Sequence, residues 1–136
     1  MEVVTLAFEE SEICAVPEGS PQASPARSVR ELLSRNLRLL AAQRVRIAIG
    51  SDIYSNTALA EALGVHGLNV FDNLTLLKMW CEATPQAIFP SRKIGRLREG
   101  YEASFLVLAG DPVRDFMNVK NIDMRIKQGE VLSLSK

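Results

Sequence analysis

Histidine is the scarcest chemistry-bearing residue in this 136-residue chain, with His66 standing alone. A catalytic zinc normally takes three protein ligands. One histidine therefore excludes a self-contained histidine-rich metal centre. Cysteine is nearly as rare. Cys14 and Cys81 lie far apart, in no metal-type spacing, and are expected as free thiols, at least one of them buried. Neither sign of charge is in excess, with 16 Lys and Arg against 16 Asp and Glu. No block of like charge stands out along the chain, which argues against nucleic acid or an anionic membrane as the main partner. Long apolar runs are missing too. The run in residues 3–8 follows no basic segment and is far too short to span a bilayer. The expected location is cytoplasmic, with no membrane association.

What is present suits a soluble globular domain of ordinary length, at 47% hydrophobic and 24% charged residues. Residues 2–8, EVVTLAF, are rich in β-branched side chains and predict a buried strand. Residues 16–27 hold Pro17, Pro21, Pro25 and Gly19 and predict a long loop. Ser28 with Glu31 forms a capping-box pattern, and Val29, Leu32, Leu33, Leu37 and Leu40 follow at helical spacing to near Gln43. Residues 45–49, VRIAI, predict a second buried strand, stopped by Gly50. Strand, helix, strand over this length is a βαβ unit.

Beyond Asp52, a helix is expected over residues 57–63, then a glycine-bearing loop through Gly64, His66 and Gly67. Asn73 is placed to cap a helix over residues 74–83. Thr84 is placed to cap another, with Pro85 at its first position. Trp80 and Phe89 read as core side chains. Arg92, Lys93, Arg96 and Arg98 read as solvated charge. The tail predicts three strands, at residues 103–108, 122–127 and 130–134, the last two joined by a tight hairpin at Gln128 and Gly129. A two-stranded parallel sheet makes no free-standing core. The βα part and the β part are both incomplete, so the chain reads as a fragment or as a domain completed by another chain.

Two motifs connect these elements to a known family. Residues 47–52, IAIGSD, form a buried run ending in glycine and an exposed aspartate. Residues 83–112, ATPQAIFPSRKIGRLREGYEASFLVLAGDP, combine a threonine–proline helix, Ile94–Gly95, a glycine before an apolar strand, and an Asp111–Pro112 turn. Together they resemble the C-terminal part of the amidohydrolase superfamily, on the side of the imidazolonepropionase-like metal-dependent amidohydrolases. The likeness covers the whole chain from about Val3, with residues 127–130, KQGE, where the family has a hairpin. Ser104 departs from it, standing where the family usually has aspartate.

That resemblance implies an α/β fold: residues 1–92 as the C-terminal part of a (β/α)8 barrel, holding its last two strands and helices, and residues 93–136 as antiparallel strands of a composite β-sandwich. The first six barrel strands have no counterpart here. It further implies that Asp52, at the C-terminal end of a barrel strand where such enzymes react, binds a divalent metal, zinc by expectation, and takes a proton from the metal-bound water. In the family the other ligands are histidines on the missing strands. His66, by its position, reads as a loop residue. The implied reaction of the intact protein is hydrolysis of a non-peptide carbon–nitrogen bond, such as a cyclic amide, in a small-molecule substrate. The chain alone is expected to hold metal weakly and to be inactive. Two other readings stay open: a non-catalytic relic or interaction module that self-associates, and one half of a split hydrolase that pairs with the missing barrel half.

Overall fold

The computed structural model describes residues 23–51 and 57–133. Cys14 and the strand expected over residues 2–8 lie outside them. The chain packs as two compact units, Met1–Asp72 and Asn73–Lys136.

In the first unit, α1 spans Ala23–Ala42 and α2 spans Ala58–Gly67. Helix α1 starts five residues before the expected cap, so Ser28 lies inside it and no capping box opens it there. Pro25 does not prevent this. It falls in the first turn, where a backbone N–H has no helical acceptor to lose. The C-terminus of α1 closes as a Schellman motif. Arg44 takes a left-handed φ of 57°, its N–H bonds the Ala41 carbonyl, and the Val45 N–H bonds the Leu40 carbonyl at 3.0 Å.

Residues 45–50 then run outside any helix or strand ladder. A strand was expected here, and its apolar character is realised as burial: Ile47, Ala48 and Ile49 are all buried. A strand needs a hydrogen-bonded partner, and among the described residues the only ladder is that of the three tail strands. Helix α2 runs on through Gly64, His66 and Gly67, which were expected in a loop. Its packed face is Ala60, Ala62, Gly64 and Val65. Small side chains let that face approach closely, which offsets the roughly 1 kcal/mol that glycine costs within a helix. Its C-terminus is held from α1, where the Arg30 guanidinium donates to the Gly67 carbonyl. A cation there also meets the negative end of the helix dipole.

In the second unit, α3 (Asn73–Lys78), a π-helical turn (Met79–Ala83) and α4 (Thr84–Ile88) follow one another without a break. Two separate helices were expected, with Thr84 as a cap between them. Instead Thr84 is helical, and both its N–H and its hydroxyl bond the Met79 carbonyl. Proline explains the π turn. Pro85 has no N–H to give the Cys81 carbonyl, and its ring would clash with that oxygen in an α-helix. Inserting one residue into the turn relieves both problems. The Cys81 carbonyl, released from the helix, meets the backbone of Gly95. A Cβ at Gly95 would collide with that oxygen, and Gly95 also has a φ of +85°.

Three strands follow: β1 (Phe105–Leu108), β2 (Ile122–Lys127) and β3 (Glu130–Leu132), antiparallel in the order β1-β2-β3. The hairpin is the expected one. Lys127 faces Glu130, and Gln128 and Gly129 both have positive φ, 54° and 86°, as a type I′ turn requires. A short 3-10 helix, Phe116–Lys120, crosses between β1 and β2 and is capped by the Asp115 carboxylate. Phe116, Val119 and Leu76 are the buried apolar side chains of this unit. Phe116 and Leu76 each contribute about 2 kcal/mol by leaving water.

Gly95→Ala is expected to lower unfolding stability by roughly 3 kcal/mol, combining left-handed strain with overpacking. Gly100, at φ +78° with open space around it, is the control, where alanine pays strain only, about 1 kcal/mol. Urea unfolding of both variants checks this, and equal costs would refute the contact with Cys81.

Candidate functional site

Asp52 and residues 53–56 lie outside the described residues. The structure does describe how the chain arrives there and leaves. Ile47 is 4% exposed and Ile49 2% exposed. Gly50 and Ser51 are half-buried, and Thr57 is exposed in an extended conformation before α2. The buried apolar run thus gives way to half-buried residues at Gly50 and Ser51, the last described before position 52.

His66 sits half-buried in the last turn of α2 rather than in a loop. Glu61 was not singled out by sequence. It lies on the same helix and is 4% exposed, a buried acid amid alanines. The sequence signal for it is faint, because an acid in an Ala-Leu helix ordinarily faces water. Among the described residues, no group of three or more His, Cys, Asp or Glu side chains is placed to hold a metal ion. One carboxylate does not satisfy zinc, which takes three protein ligands in catalytic sites. The residues described here do not fit a complete metal site.

The second motif is organised by charge. The Arg92 guanidinium grips Glu102 through two bonds of 2.7 Å and stands 5.1 Å over the Phe89 ring. Phe89, expected in the core, is 44% exposed; the arginine above its face is what covers it. Arg96 pairs with Glu82 at 2.8 Å, which ties the π turn to the Gly95 loop. Lys93 and Arg98 are exposed, as expected of solvated charge. Trp80 is half-buried within the π turn. Cys81 is a free thiol. Although the residue is exposed, burial around the thiol, and then the Glu82 carboxylate, push it above the ordinary cysteine value. Ser104 makes the contact available to a short polar side chain at its position, accepting from the Gln128 N–H at 3.0 Å. The neighbouring Gly129 N–H bonds the Ala103 carbonyl at 2.8 Å, so the hairpin tip is fastened to the start of β1 at two points.

The described residues form helices followed by a small antiparallel three-stranded sheet. The amidohydrolase family model matches residues 3–132, and the chain belongs to that family. Solved structures with the same fold include a protein described as uncharacterized, at 19% identity and a TM-score of 0.65. A prolidase complexed with N-methylphosphonate-L-proline matches at 17% identity and 0.65. The ochratoxinase of A. niger matches at 20% identity and 0.65. These likenesses cover 87%, 85% and 85% of this chain but only 31%, 30% and 28% of those chains. The chain thus spans about three-tenths of the solved proteins it matches. No curated protein matches it by sequence.

The Arg92 guanidinium holds the Glu102 carboxyl below the usual glutamate range, chiefly by hydrogen bonding. A depressed folded-state value means that the stabilisation is present above the unfolded glutamate value and is lost as pH falls through the folded one. Carbon-detected NMR titration should place the Glu102 midpoint below that of a free glutamate. In Arg92→Ala it should rise towards the ordinary range, with the Gln128 hydrogen bond still lowering it. An unchanged midpoint in that variant would contradict the role of the pair.

Proposed function

We propose that the chain is the C-terminal portion of a metal-dependent hydrolase that acts on non-peptide carbon–nitrogen bonds of small molecules. The observation that carries this reading is the family match over residues 3–132; position 52 comes after the buried run Ile47, Ala48 and Ile49, and barrel enzymes keep their reacting groups after such runs. Residues 1–92 are the end of the barrel, and residues 93–136 are the tail strands of a sandwich completed from elsewhere. The ochratoxinase and prolidase names support hydrolysis of an amide-like bond, and the prolidase name supports a peptide-type amide at proline as much as a non-peptide one.

Asp52 is the residue this chain contributes to the chemistry, as a metal ligand and as a general base. A bound divalent metal, by expectation zinc, supplies an acidified water and polarises the scissile group. A carboxylate beside it accepts a proton and later returns it to the leaving nitrogen. The other ligands have to come from outside these 136 residues, because His66 is the sole histidine and lies on α2, beyond Asp52. The chain by itself is therefore a poor metal binder and inactive. Pairing with the rest of a barrel, or inclusion in a longer protein, is what completes the site.

Metal content after incubation with zinc and buffer exchange tests this. Wild type and Asp52→Ala should both retain far less than one zinc per chain. Retention of about one zinc by wild type, lost in Asp52→Ala, would mean that a three-ligand site assembles within or between these chains, and would overturn the incomplete-site reading.

A further inference from the structure

We draw no further inference here: the strongest candidate, the apolar stripe of Val29, Leu32 and Leu39 left exposed on α1 beside the buried Leu37, lies on a chain that spans about three-tenths of its matched structures, and nothing in the structure shows that anything other than the remainder of such a fold covers it.

Discussion

A missing backbone hydrogen sets the shape of the second unit. Pro85 cannot donate to the Cys81 carbonyl, and an α-helical path would drive its ring into that oxygen. The chain answers with an extra residue in the turn, so that Thr84 bonds Met79 instead. The carbonyl that this frees lies against Gly95. The Gly95 loop is tied to the same turn by Arg96 and Glu82, and then leads through the Arg92–Glu102 pair into β1. A threonine–proline pair and an isoleucine–glycine pair ten residues apart in sequence are thus two sides of one contact. Their joint presence in the motif has a steric cause.

The apolar surface left open has an equally plain origin. In the first unit, one flank of α1 is packed and the adjoining flank is not. In the second, Phe105, Leu106 and Val107 of β1 are all exposed, as are Val131 and Leu132 of β3. A strand apolar on both faces is built to lie inside a layered fold. The matched solved proteins are about three times as long as the aligned part, and a segment of such a fold exposes what the remainder would cover. Open strand edges and bare helix stripes are also what make such segments adhesive.

The family, and the elements with strong local chemistry, were legible in the residues. The hairpin at Gln128–Gly129, the strand over residues 122–127 and the Asp111–Pro112 turn are decided by neighbours in sequence, and they fold where their patterns place them. Boundaries that depend on packing were not legible. A capping pattern at Ser28 was overridden because α1 gains more by extending. Gly64 and Gly67 look like loop residues until the small-residue face of α2 is seen packed. Phe89 looked like core because hydrophobicity alone does not show that an arginine will cover it. For Asp52, sequence supplied the candidate, and the structure adds only the buried run that leads to it.

By itself the sequence determined composition, charge balance, the family motif and the single histidine. Those are properties of residue identity and count. The tertiary structure decided which of the two stripes of α1 is buried, where the Cys81 carbonyl goes once proline releases it, and which arginines are paired. Each of these depends on groups distant along the chain meeting in space, and periodicity along a single chain does not encode which face finds a neighbour.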